Sequence, residues 1–307
     1  MESMAEMQGA TPPASPTQDD AGLMRVLEAL RAARGLDFRQ YRLTTIRRRL
    51  ERRMAAVRAS DIEEYLRLLS TRPAEFDDLI DYLTLKVSAF FRDDRTFDLL
   101  ARTVMPDLWA LALRQRRGLL SWSAGCATGE EVYSLAMLLL SQVSQDADPS
   151  LTAASLVLGT DIDERALATA RLGAYPQARL QDVSREIVER WFESDDSAEG
   201  LWRMRQQVRA LTSFRSHDLV AEPEAEPADL CGRLFDLVVC RNVLIYMQRP
   251  LQLVVLSRLD KRLAPGGYMV LGEAETLPES FRSSYDAIDR RARIFRKRTA
   301  VGLDHAT

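Results

Sequence analysis

Long apolar runs are missing from this 307-residue chain: it has no stretch of about 18 apolar residues, so no membrane-spanning helix is expected. The N-terminus also lacks the charged-then-apolar pattern of an export signal, which points to the cytoplasm. Cysteine is scarce. Cys126, Cys231 and Cys240 are odd in number and show no C-x-x-C spacing, which argues against a disulfide framework or a structural metal site. The two histidines, His217 and His305, fall in a loop and a tail, so chemistry built on an imidazole base is disfavoured. The net charge of -3 gives no global sign of a nucleic-acid partner. The dinucleotide fingerprint G-x-G-x-x-G is absent as well.

What is present divides the chain in two. Residues 1–20 carry Pro, Ser, Ala and acids without periodicity and read as a tail, as do residues 300–307. From 21 to about 100 the pattern is helical: Leu23, Val26, Leu27 and Leu30 recur at helical spacing, as do Ile62, Tyr65, Leu66 and Leu69. In "TTIRRRLERRMAAVR" the residues Ile46, Leu50, Met54 and Val57 form one stripe, with Arg47, Arg48, Arg49, Arg52 and Arg53 around the rest. Between Arg31 and Arg58 ten arginines face two acids. That excess fits either a solvated helix face or a docking surface for an acidic partner.

Over 101–299 short apolar runs ("LLSWS", "SLVLGT", "LFDLVVC", "GYMVLGE") alternate with amphipathic helices, the signature of an α/β domain with a parallel sheet. "SYDAID" and "ARIFRKR" supply a terminal antiparallel pair, and the acidic, Pro-rich "LVAEPEAEPADLCG" reads as a surface loop. The turn in "SWSAGCATGEEVYSLA" follows the first strand, where such sheets bind ligands. Gly125 and Gly129 permit close backbone approach, either to a ligand or between strand and helix. Glu130 and Glu131 at the next helix start would repel a pyrophosphate, which disfavours an NAD-linked dehydrogenase. A cationic ligand with an amino group and a ribose fits better, and S-adenosylmethionine is one. Asp161, ending the second strand, suits the ribose hydroxyls, while Asp163 suits either that role or a helix cap. Arg241 and Asn242 follow a later strand at the rim of the same cleft.

With "AFFRD" (89–93), "WSAGCATGEEVYSLA" (122–136), "TDID" (160–163), "CRNVLIYM" (240–247) and "LAPGGYMVLGEAETL" (263–277) in order, the chain resembles the CheR-type chemoreceptor methyltransferases. The resemblance implies an all-α N-terminal domain joined to a Rossmann-like, S-adenosylmethionine-dependent methyltransferase domain with a small antiparallel β insertion, here about 174–215. It implies esterification of glutamate side chains on the cytoplasmic helical bundle of chemoreceptors, with S-adenosylhomocysteine as the product. Cofactor contacts implied are Ser88, Arg92, Glu130 or Glu131, Asp161, Asp218 with Leu219, and Arg241 with Asn242. Arg92 and Tyr246 match positions beside the transferred methyl, though as a domain-junction ion pair and a packing aromatic they would also make sense. Receptor docking would fall to Arg48, Arg49 and Arg52; no metal is implied, and a monomer is the default. Where the family has Asn, then Thr two residues later, this chain has Lys86 and Ser88. Lys86 puts a cation near a sulfonium, which keeps open a noncatalytic S-adenosylmethionine-binding module; a methyltransferase with another acceptor is the remaining alternative.

Overall fold

The computed structural model describes residues 18–84, 87–143, 149–194, 200–221, 230 and 232–299. Lys86, Cys231 and His305 lie outside the described residues, as do the first 17 residues and the centre of the acidic loop. Four helices open the chain: α1 (Gln18–Arg34), α2 (Leu43–Ala56), α3 (Ile62–Thr71) and α4 (Glu75–Leu83). Leu23, Val26, Leu27 and Leu30 meet Ile46, Leu50, Tyr65, Leu69, Leu79 and Leu83 in one core, so the 3.6-residue stripes are its facing sides. Asp61 caps α3 by accepting from the Glu64 amide at 2.8 Å. The helix α1 begins at Gln18, inside the segment expected as a tail.

A second helical stretch runs through α5 (Asp94–Leu99), a π-helical turn at Leu100–Val104 and α6 (Met105–Gln115). It differs from the expected helical unit of 21–100. Phe90, Phe97 and Leu100 pack in the core of the α/β domain, and the helical core ends at Leu83. Helical rhythm continues across the junction, so periodicity alone places the boundary too late.

The α/β domain then follows as β1 (Leu120–Ala124), α7 (Glu130–Gln142), α8 (Pro149–Ala153), β2 (Leu156–Asp161), α9 (Glu164–Leu172), β3 (Ala174–Pro176), α10 (Arg185–Trp191), β4 (Phe192–Ser194), β5 (Leu201–Met204) and α11 (Gln206–Arg209). It closes with β6 (Thr212–Ser216), β7 (Phe235–Cys240), α12 (Arg249–Arg262), β8 (Leu263–Leu271), β9 (Tyr285–Asp289) and β10 (Ile294–Lys297). Seven strands form one sheet in the order β6-β2-β1-β7-β8-β10-β9, parallel from β6 to β8, with β10 and β9 antiparallel. Every residue of β7 is buried, as a central parallel strand covered on both faces must be. The sheet's two faces carry separate cores.

The β insertion is the three-stranded sheet β3-β5-β4, antiparallel throughout. It is smaller than expected. The end of the expected range 174–215 falls in "LTSFRSHDL", which instead supplies β6, paired in parallel with β2 from Val157↔Thr212 to Asp161↔Ser216. As an edge strand with only Phe214 buried, β6 lacks the apolar run that marks its neighbours. No helix among the described residues is long and apolar enough to cross a membrane.

Candidate cofactor and acceptor cleft

The strand order reverses between β1 and β7, which opens a crevice at their carboxyl ends. The turn after β1 is pinned there: the amides of Gly125 and Cys126 both donate to the Thr160 carbonyl, at 2.7 and 3.0 Å. Gly125 has φ +83, and a Cβ on it would lie 2.4 Å from Val243 Cγ2, so this glycine is demanded by conformation and by space. Gly129 plays the other part. A Cβ there would meet Ala170 of α9 at 2.8 Å, so it serves helix packing and not the cleft.

Asp161 ends β2 at the floor of the crevice. Its Oδ2 accepts from the Ala127 amide and its Oδ1 from the Asp163 amide, each at 2.9 Å, leaving further lone pairs for a ligand. Burial pushes its carboxyl above the usual carboxylate range, against the lowering effect of those amides. Asp163 caps α9 through the amides of Arg165 and Ala166, and its Oδ2 accepts from the Thr84 hydroxyl of the helical domain at 2.9 Å. Asp218, after β6, accepts from the Val220 amide at 2.8 Å, and burial raises its pKa as well. Beside it Leu219 is buried.

The two helix-start acids separate. Glu131 faces the cleft, accepting from the Ser123 hydroxyl at 2.8 Å and from Arg241 Nη1 at 3.1 Å. Glu130 does not line it: fully buried, it accepts from the Thr128 hydroxyl at 2.7 Å and faces Arg179 at 3.5 Å. Arg241 is almost wholly buried, and both of its terminal guanidinium nitrogens brace the site. Besides Glu131 it pairs with Asp93 and donates to the Arg92 carbonyl at 3.0 Å. Two left-handed residues that are not glycine, Ala127 and Asn242, line the cleft, and two more, Phe91 and Asp93, flank its Arg92. Such backbone persists only where its surroundings over-determine it, and Arg241 ties two of these segments together.

Glu275 fixes the Asn242 segment from the other side, and the sequence reading assigned it no role. Its Oε1 accepts from the amides of Val243, Leu244 and Ile245 at 2.9, 2.7 and 3.3 Å. Its Oε2 accepts from Gly272 and Asn242 at 2.7 and 3.1 Å. One buried carboxylate thus holds the loop that carries Asn242 at one end and Tyr246 at the other.

Ser88, Arg92, Gly125, Glu131, Asp161, Asp218, Leu219, Arg241, Asn242 and Tyr246 all line this one cleft. Arg92 donates to the Val87 carbonyl at 2.7 Å from its outer edge. Arg48 and Arg52 stay exposed on α2, outside the cleft. Arg49 departs from the expected solvated face: it is 6% exposed, lies 4.9 Å from the Tyr246 ring centroid, donates to the Leu83 carbonyl and leaves Nη2 without a partner. The α/β domain covers that side of α2, which an isolated helix pattern does not reveal. His217, expected to be incidental, is buried in the cleft wall, 6.0 Å between ring centroids from Trp122. Phe38, Tyr41 and Thr45 of the helical domain complete the wall without any motif to announce them.

The donor set suits a cationic nucleoside. Acids line the cleft at Glu131, Asp161 and Asp218, its glycine turn is cleared of side chains, and an acidic helix start stands where a phosphate would need free amides. S-adenosylmethionine fits these residues.

Comparison with known proteins agrees. The family model described as CheR methyltransferase, SAM binding domain, matches residues 86–293, and the CheR methyltransferase all-alpha domain matches 21–84. Chemotaxis protein methyltransferase 2 of Pseudomonas aeruginosa is 33% identical over 260 residues, covering 84% of this chain and 87% of that protein. The chemotaxis protein methyltransferase of Escherichia coli is 31% identical over 262 residues, covering 83% and 84%. An uncharacterized 104.1 kDa protein of Rhodobacter capsulatus is 32% identical over 274 residues; the match takes in 89% of this chain and 27% of that longer one. Among solved structures, magnesium protoporphyrin IX methyltransferase from Synechocystis with bound SAM shows 20% identity and a TM-score of 0.34, covering 67% of this chain and 79% of that one. That likeness is too slight to bear on function.

Proposed function

The chain belongs to the CheR methyltransferase family and binds S-adenosylmethionine; from that premise we propose that it methylates glutamate side chains on the cytoplasmic helical bundle of chemoreceptors, forming γ-glutamyl methyl esters. The observation that carries this reading is one cleft that joins carboxylates suited to the cofactor with a mouth of Arg92, Tyr246 and Arg49. Glu131 would hold the cofactor's amino group, Asp161 the ribose hydroxyls, and Asp218 with Leu219 the base. When bound, the sulfonium supplies a methyl group already activated for in-line displacement.

The chain's own work is positioning. A glutamate carboxylate is ionised at neutral pH and attacks as it stands, so no general base is needed. Arg92 would orient it through a two-pronged hydrogen bond, and the unpartnered Nη2 of Arg49 offers another donor beside Tyr246. Tyr246 would line the methyl path and donate from its hydroxyl. Its place depends on the loop that Glu275 holds.

Docking falls to the outer face of α2. Arg31, Arg34, Arg39, Arg47 and Arg53 are engaged with acids of the helical domain. Arg42, Arg48, Arg52 and Arg58 are exposed and make no ion pair among the described residues. They would steer a glutamate-rich helix toward the cleft.

The test is methyl transfer from labelled S-adenosylmethionine to a chemoreceptor cytoplasmic fragment. Base-labile label on the fragment is expected. Cofactor binding without transfer to any of a panel of receptor fragments would sink the glutamate reading in favour of a binding module or a different acceptor.

A further inference from the structure

The helical domain does more than stand beside the cleft. Its loop between α1 and α2 is sewn to the segment after Tyr246: the Arg42 amide donates to the Tyr246 carbonyl at 2.8 Å, and the Gln248 amide donates to the Gln40 carbonyl at 3.0 Å. The Gln248 side chain adds a bond to the Tyr41 carbonyl at 3.1 Å. Tyr41 and Met247 form the antiparallel bridge at the centre of this clasp. Tyr41 packs against both the helical core and one core of the α/β domain, with its ring 4.9 Å from Phe38.

Its side chain enters the same cleft as Asp161 and Asp218. Burial first, then those two carboxylates, raise the phenol's pKa, so the hydroxyl remains a donor at neutral pH. A flat ring with a hydroxyl donor in the same cleft as two carboxylates is suited to cover a nucleoside.

We propose that Tyr41 is a cofactor-binding residue supplied by the helical domain, and that the clasp between residues 40–42 and 246–248 must be closed for tight cofactor binding. This rests on the S-adenosylmethionine reading of the cleft. The clasp also explains how one loop can serve two ends: α2 starts directly after it, so the helix that carries the docking arginines is fixed to the segment that carries Tyr246.

The test measures S-adenosylhomocysteine affinity by calorimetry on the full chain. Gln248→Pro deletes both Gln248 clasp donors, the backbone amide and the side-chain amide, without backbone strain, since Gln248 has φ -70 and Met247 before it is extended at ψ 150. Losing those two bonds should weaken affinity about tenfold, and Tyr41→Ala should weaken it about tenfold or more. Hydrogen exchange on the unmodified protein gives an independent arm that needs no variant to fold. The amides of Arg42 and Gln248 should exchange more slowly once S-adenosylhomocysteine is bound. Unchanged affinity in both folded variants, or unchanged exchange at both amides on binding, overturns the proposal. Absence of binding by the unmodified protein overturns instead the cofactor reading on which it rests.

Discussion

Replacing Glu275 by glutamine tests whether one buried carboxylate holds the Tyr246 end of the cleft. The amide keeps one oxygen for the Val243, Leu244 and Ile245 amides and turns its nitrogen toward Gly272 and Asn242, whose N–H groups now face donors. Two hydrogen bonds to a charged acceptor are lost, at about 1.5–3 kcal/mol each. Burial raises the Glu275 pKa, so removing the charge returns part of that loss. The net expectation is about 3 kcal/mol, which a domain of ordinary stability, about 5–15 kcal/mol, survives. Urea unfolding should show the lower midpoint with an unchanged slope. In methyl-transfer kinetics kcat should fall more than the folded fraction explains, because Asn242 and Tyr246 hang from the same loop. A loss under about 1 kcal/mol with unchanged kcat would refute the reasoning. A full stability loss with unchanged kcat per folded molecule would show that the carboxylate holds the fold alone.

For Asp161, the folded-state pKa lies above the unfolded one, so the folded chain gains from its proton as pH falls and loses that gain as pH rises through the raised value. The stability of Asp161→Asn relative to the unmodified protein should therefore improve from pH 4 toward pH 7, read by urea unfolding across pH; a flat difference would be fatal. Affinity for S-adenosylhomocysteine should run the other way, rising with pH as Asp161 ionises, and the Asn variant should lose that dependence. Arg48→Glu with Arg52→Glu should raise KM for an acidic receptor fragment about tenfold at low salt, less at high salt, with cofactor affinity unchanged. Equal loss of both would point to misfolding. Gly125→Ala forces a side chain into φ +83 and against Val243, an expected cost of about 2–4 kcal/mol in urea unfolding. A cost below about 0.5 kcal/mol would mean that the turn relaxes freely.

Local features were legible in the sequence wherever one element dictates them. Leu23, Val26, Leu27 and Leu30 must share a helix face, and "FDLVVC" is apolar because both of its faces are covered. Asp161 could be placed because a residue ending a parallel strand lands at the carboxyl edge wherever the strand lies in the sheet. The polar edge strand β6 left no such trace, and the domain boundary was hidden because helices stand on both sides of it. Glu275 sat within a quoted motif, yet four of its five donors are some 30 residues upstream and reach it only because β7 pairs with β8. Arg49 and Tyr41 are decided by the other domain, which no periodicity within α2 encodes.

The electrostatics of the cleft give these scattered residues a common logic. Glu131 has a guanidinium partner, while Asp161 and Asp218 are held by backbone amides and penalised by burial. Supplying each with a buried arginine would add a desolvation cost that the pairing need not offset, and it would occupy the lone pairs that a nucleoside's ribose and base need. The buried Arg241 serves elsewhere, bracing the strained 91–93 backbone against Glu131. The cleft is thus kept polar and rigid together: carboxylate lone pairs are left open on the floor, and rigidity comes from amides, from Arg241 and from Glu275 around the rim.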